Sequence, residues 1–278
     1  MSAVCPADGR LTVIRRGYLD FGNGQLHYRY CGKESAPLLL MLHQTPSSSA
    51  MYLRLMPMLS ENFFVVAVDT PGFGGSDPLA GDVTIEAFAA AIYQAVSAAF
   101  DQPALVFGHH TGAAIAVQLA YDQPEFVRAL ALSGPTLLTE AQKRALPSAA
   151  RAFPIDDSGS HWQNMWQRLR GKDPEADLSL SVRETLLAFT CGDYYEASYR
   201  AVVEQDVVLQ MAAINCPALV CAGGRDLLNS AVAPSVELLP QGRSAALPAE
   251  AGTYVCDRHP EAVADVLRQF FLEVAQTG

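Results

Sequence analysis

Three short apolar runs, LLLML (38–42), FFVVAV (63–68) and ALVF (104–107), are each bounded by turn residues and separated by stretches of helical character. This alternation constrains the chain more than any other feature. A run without polar alternation must be buried on both faces, which a strand achieves inside a parallel sheet flanked by helices. IEAFAAAIYQAVSAAF (85–100) sets its apolar residues at helical spacing, with Asp82 or Thr84 available as its cap. GAAIAVQLAY (112–121) reads as a second helix stopped near Pro124, and RALALSGP (128–135) as a further strand. LDFGNGQLHYRY (19–30) alternates around Asn23-Gly24, a hairpin signal.

Residues 136–212 break the pattern: they hold helical stretches and many aromatics but no convincing buried strand. ALVCAGG (218–224) restores the strand signal, SAALP (244–248) is a candidate for another, and EAVADVLRQFFLEVA (261–275) is an amphipathic helix able to close the sheet. The expectation is an α/β fold with a mostly parallel central sheet and helices on both faces. Its core comprises 1–135 and 213–278, with a helical cap at 136–212 and the active site beneath the cap at the strand C-termini. With 278 residues, half of them apolar and 17% charged, such a core is within reach.

Lys+Arg total 19 against Asp+Glu 29, a formal charge of -10, which argues against nucleic acid as a partner. MSAVCPADGRLTVIRRGYLD lacks the apolar core of a signal peptide, and AFAAAIYQAVSAAF is too short to span a bilayer. These features predict a soluble, cytoplasmic protein with no membrane partner. The six cysteines, Cys5, Cys31, Cys191, Cys216, Cys221 and Cys256, form no CxxC pair and no Cys/His cluster of zinc spacing. Reduced thiols and no metal site are the expectation. No interface patch is marked, so the oligomeric state is open.

Gly108-His109-His110-Thr111-Gly112 follows a predicted strand and opens a predicted helix. That is the setting of a nucleophile elbow, G-x-Nuc-x-G, whose glycines relieve a crowded turn and whose central side chain projects beside a helix N-terminus. Here the chain resembles the α/β-hydrolase superfamily, in its helical-capped branch, over residues 18–278. His43-Gln44-Thr45-Pro46 is similar to the H-G-x-P turn, and Asp69-Thr70-Pro71-Gly72-Phe73-Gly74-Gly75-Ser76-Asp77 to the D-x-P-G-x-G-x-S-D loop. Gly223-Gly224-Arg225-Asp226 is similar to the turn carrying the triad acid, and Ala251-Gly252-Thr253 to the turn carrying the triad histidine.

Three positions depart from that pattern: the elbow nucleophile is His110, the triad histidine is Thr253, and the glycine of H-G-x-P is Gln44. Only the acid, Asp226, remains. Ser-to-His adds reach at the elbow, while His-to-Thr vacates the space between elbow and acid. The His110 imidazole is therefore expected to fill that space and bond to Asp226, rebuilding a His–Asp dyad with its base on the elbow. The resemblance implies backbone N–H groups of Thr45 and Thr111 as the oxyanion hole. Gln44 either donates to substrate or holds the loop. His43 and Asp69 read as loop braces, His109 as a packing residue, and Ser47, Ser48 and Ser49 as caps of the next helix. His259 defaults to a surface position.

In the cap, Trp162/Trp166 and Tyr195/Tyr199 each share a helix face. They form either the cap's own core or an aromatic wall over the cleft, with Tyr194, Thr253 and Tyr254 as further substrate-binding candidates. The leading expectation is a cofactor-independent enzyme of a small carbonyl or ester-type substrate, with His110 activating water. The alternatives are a lyase, decarboxylase or isomerase using the same dyad for proton transfer, and a ligand-binding pseudoenzyme with His110 as an inert leftover.

Overall fold

The computed structural model describes residues 12–277. Cys5 and the N-terminal segment before residue 12 lie outside the described residues. Eight strands form one sheet in the order β1-β2-β4-β3-β5-β6-β7-β8. They are β1 Arg15–Phe21, β2 Gly24–Cys31, β3 Leu38–Leu42, β4 Phe64–Val68, β5 Ala104–His109, β6 Val127–Ser133, β7 Ala218–Cys221 and β8 Gly242–Ser244. β1 pairs antiparallel with β2, and β2 with β4; every later pairing is parallel.

The apolar runs occupy the middle strands, where each residue of β3 and β4 is buried. Alternate side chains serve opposite layers. Leu38, Leu40 and Leu42 enter one core with Phe88, Ile92 and Ile115, whereas Leu39 and Met41 enter the other with Leu267 and Phe271. The helices α2 Ile85–Ala99 and α3 Thr111–Asp122 supply the first layer. The short α1 Met56–Leu59 and the C-terminal helix supply the second. Of the two candidate caps for α2, Thr84 is the one used, its hydroxyl accepting from the Ala87 N–H.

Two local expectations shift. The hairpin forms, but its two-residue turn is Gly22-Asn23, because Phe21 pairs with Gly24. Gly22 takes a φ of +48° at the first turn position, where glycine carries no Cβ penalty. The last strand is Gly242–Ser244, which shares only Ser244 with the SAALP run (244–248) and is three residues long at the sheet edge.

Between β6 and β7 the chain runs through five helices without a strand. They are α4 Glu140–Ala149, α5 Ser160–Lys172, α6 Leu178–Thr190, α7 Tyr194–Glu204 and α8 Val207–Ala213. α8 lies against the sheet flank. Beside it, Gln205 Nε2 donates to the Ala114 carbonyl of α3, and within it Gln210 Nε2 donates to Gln118 Oε1. After β7 come α9 Val232–Leu238, α10 Val255–Arg258 and α11 Pro260–Thr277. Among the described residues no helix is long and apolar enough to cross a membrane.

Candidate active site

The turn between β5 and α3 is a single strained residue. His110 has φ 51° and ψ −114°, and it is the one non-glycine with positive φ among the described residues. Such a conformation persists only where its surroundings impose it. They do so here: a Cβ on Gly108 would collide with the Gly112 carbonyl, and one on Gly112 with the Leu42 carbonyl. The elbow thus packs backbone to backbone on both sides and throws the His110 side chain outward. Gly134, at φ +61°, leaves the ring its space, since a Cβ there would lie against His110 Cδ2 and Nε2.

His110 Nε2 lies 2.8 Å from Asp226 Oδ2. An ionised carboxylate only accepts, so Nε2 carries the proton and Nδ1 holds the lone pair. Asp226 sits past the end of β7, with its side chain fully enclosed, and its Oδ1 accepts from the Leu228 N–H at 2.8 Å. Burial alone would raise this carboxyl. Electrostatic attraction to the neighbouring His110 ring and its hydrogen bond outweigh this and hold the group well below the usual carboxylate range.

His109 points into the protein and is fully buried. Its Nε2 lies 2.8 Å from the Thr253 carbonyl, which can only accept, so Nε2 donates and Nδ1 accepts from the Ser133 hydroxyl at 3.0 Å. Burial, aided by repulsion from His110, pushes this imidazole down to about 3. His109 is a neutral strut from β6 to the Thr253 loop. Among the described residues, His109, His110 and Asp226 form a group whose ligand atoms lie within 4.8 Å of one another. With both His109 nitrogens committed, that group has two ligands to give a cation rather than three.

The loop after β3 is held from beneath. His43 Nδ1 donates to the Gln44 carbonyl at 2.9 Å, and its Nε2 accepts from the Thr70 N–H at 2.9 Å. Asp69 accepts from the Ser49 N–H at 2.6 Å, the Gly75 N–H at 2.9 Å and His27 Nδ1 at 2.8 Å. Burial opposes ionisation of Asp69, but these donors bring it down to about 2. Ser48 caps the short turn at 49–52 through the Ala50 N–H. So braced, Thr45 meets the elbow: its N–H reaches Thr111 Oγ1 at 3.4 Å, and its carbonyl accepts from Tyr199 Oη of α7 at 3.1 Å. The Thr111 N–H is the first of α3, a position a helix leaves without an internal partner.

A cavity of about 250 Å³ opens over these groups, lined by Thr45, His110, Thr111, Thr253, Tyr195 and Tyr199, among others. Several expected contributors are elsewhere. Trp162 is 45% exposed and lies tilted against Phe189, ring centroids 4.1 Å apart, and Trp166 on the same helix face does not line the cavity. Tyr194 turns into the Phe73 and Phe88 rings and accepts from the Leu79 N–H at 2.7 Å. Tyr254 is buried and donates to the Leu169 carbonyl at 3.2 Å. Gln44 is enclosed without lining the cavity, and its Oε1 has no hydrogen-bond partner among the described residues. Its carbonyl does the holding instead, accepting from His43 and from the Ser47 N–H.

Sequence reasoning passed over Arg168 and Lys172, which line the cavity from α5. Their i, i+4 spacing was the available signal. It lay on the helix face beside buried Met165 and Leu169, away from the more conspicuous tryptophans.

Residues 37–244 match the profile of the alpha/beta hydrolase fold. The chain is 25% identical over 224 residues to the (E)-2-((N-methylformamido)methylene)succinate hydrolase of Acinetobacter baylyi, covering 80% of this chain and 83% of that one. It is 27% identical over 286 residues to a fluoroacetate dehalogenase of Burkholderia sp., covering 88% and 90%. Among solved structures, a thermophilic esterase from Thermogutta terrifontis superposes with a TM-score of 0.77 at 20% identity, covering 94% of this chain and 99% of that one. The strand order, the elbow between β5 and α3, and the matched profile lead to one conclusion: the chain belongs to the alpha/beta hydrolase fold family and is an enzyme of that type.

Proposed function

We propose that the protein is a cofactor-independent hydrolase of a small carbonyl compound of the ester or amide type. The hydrogen bond between His110 and Asp226 carries this reading. His110 Nδ1 takes a proton from water, the water oxygen attacks the carbonyl carbon, and the resulting imidazolium is stabilised by the ionised Asp226. Negative charge on the carbonyl oxygen is met by the N–H groups of Thr45 and Thr111. The long 3.4 Å bond from Thr45 to Thr111 Oγ1 yields readily to a stronger acceptor. Return of the proton to the leaving group completes hydrolysis without an acyl-enzyme on oxygen. Helices α4 to α7 serve as the cap over this cleft.

A second reading rests on the elbow side chain itself. An imidazole in place of a hydroxyl also suits proton abstraction without water addition, which would make the protein a lyase or isomerase. Turnover in ¹⁸O-labelled water separates the two. The hydrolase reading expects label in the product acid. Unlabelled product, under conditions where its oxygens do not exchange, overturns hydrolysis in favour of proton transfer. Binding without turnover across an ester and amide panel overturns the hydrolase reading.

A further inference from the structure

The chain carries a formal charge of -10, yet the cavity over His110 is lined by two cations, Arg168 and Lys172, and by no Asp or Glu. Both stand on α5 four residues apart, so they share one helix face. Elsewhere Arg54, Arg183, Arg243 and Arg258 each have a carboxylate for a partner. Among the described residues neither Arg168 nor Lys172 lies within ion-pair distance of one.

Arg168 is nevertheless fixed in place. One guanidinium nitrogen, Nη1, donates to the Arg151 carbonyl at 2.6 Å and reaches Tyr195 Oη at 3.4 Å. Its carbon stands 4.0 Å from the centroid of the Phe153 ring. The bonds to Arg151 and Tyr195 engage one end of the fork and leave donors to spare. A guanidinium oriented by neutral groups and an aromatic face, beside an unpaired ammonium, is a preformed receptor for an anion. Little side-chain freedom is lost when the anion arrives.

We infer that the substrate is an anion: a small ester or amide whose carboxylate is held by Arg168 and Lys172 while its reacting carbonyl sits at His110. This inference rests on the hydrolase reading for the reaction but not for the binding site. The remaining wall, with Leu138, Leu146 and Val202, takes the apolar stem between the two ends. The two cations also draw a negatively charged substrate into a molecule whose net charge repels it.

Two measurements on the full chain test it. In the first, kcat/KM is compared for succinate and glutarate half-esters and for the same esters with the free carboxylate capped as a methyl ester. The wild type is expected to favour the half-esters by about 10- to 100-fold, the usual worth of a charge-assisted contact. That ratio should fall toward one in Arg168→Met and Lys172→Met and recover in part in Arg168→Lys. In the second, calorimetry compares glutarate with its diamide; binding of glutarate alone, weakened in both Met variants, is expected. Half-esters and capped esters turned over equally would overturn the anion site and leave the hydrolase reading standing. Glutarate binding without turnover of any ester would keep the site and overturn hydrolysis. Glutarate and diamide binding alike, or neither binding, overturns the site by the calorimetric route.

Discussion

At the residue scale the site rests on an exchange of positions. In the proposed dyad His110 supplies the imidazole that the family resemblance places at Thr253, and the ring reaches Asp226 because Gly134 has no side chain to obstruct it. Gly134→Ala therefore tests the geometry without touching either partner. The added methyl would displace the ring, and misplacement of a catalytic group by about 1 Å costs on the order of 100-fold in rate. The substitution also forces a Cβ into a positive-φ turn, costing roughly 1–2 kcal/mol of stability. We expect kcat to fall by about 100-fold while the melting temperature drops only a few degrees. A Gly134→Ala protein with full activity would show that the ring does not need its present place.

At the element scale, α6 is clamped onto the loop that bears Thr45. Arg183 makes a two-pronged contact with Asp257, Nη1 to Oδ1 and Nη2 to Oδ2, both 2.8 Å. It also bonds through Nε to Glu184 Oε1 at 2.8 Å, which in turn accepts from Ser47 Oγ at 3.1 Å. Glu184 is fully enclosed, and burial lifts the Asp257 carboxyl even with Arg183 beside it. Removing the shared cation strands two carboxylates, so Arg183→Met should cost about 3–5 kcal/mol in urea denaturation. A loss below about 1 kcal/mol would mean the clamp is not structural. This clamp was not legible in the sequence, because it joins residues 47, 184 and 257 through the fold alone. The strands were legible where burial on both faces left no polar residue, as in β3 and β4. β8 was placed too far along the chain, at 244–248, because three partly exposed residues at a sheet edge carry no such pattern. Within α5, indole size drew attention to Trp162 and Trp166, whereas the cavity side of the helix carries Arg168 and Lys172. Elbow and acid were readable together because each sits in a short glycine-bearing motif whose spacing survives substitution.

At the scale of the whole molecule, two histidines are held neutral by burial: His109, pushed down to about 3, and His43, lowered for the same reason. An unfolded histidine titrates near pH 6.5. Below that pH the unfolded chain binds protons that these two folded side chains refuse, so unfolding is favoured as pH falls from about 6.5 toward 3. The slope approaches about 1.4 kcal/mol per pH unit for each fully uncompensated group. Asp69 and Asp226 have the opposite starting charge but the same sign of effect at lower pH. Their folded carboxyls lie below the unfolded value, so their stabilisation is present above about pH 4 and lost beneath it. Urea denaturation at pH 7, 6 and 5 should show falling stability, and His109→Gln should flatten the slope. An unchanged slope in that variant would mean His109 is not the group taking up the proton.

The account stands or falls on whether the pair at 2.8 Å does the chemistry. The direct measurement is kcat for His110→Ala and Asp226→Asn on the best ester or amide substrate, with folding of both variants verified by circular dichroism. His110→Ala is expected to lower kcat by about 10²–10⁴, the range of a positioned general base. Asp226→Asn should lower it too, since an amide neither stabilises the imidazolium nor enforces the Nε2–H tautomer. Wild-type rates in both folded variants would contradict the account and put the reaction elsewhere in the cleft.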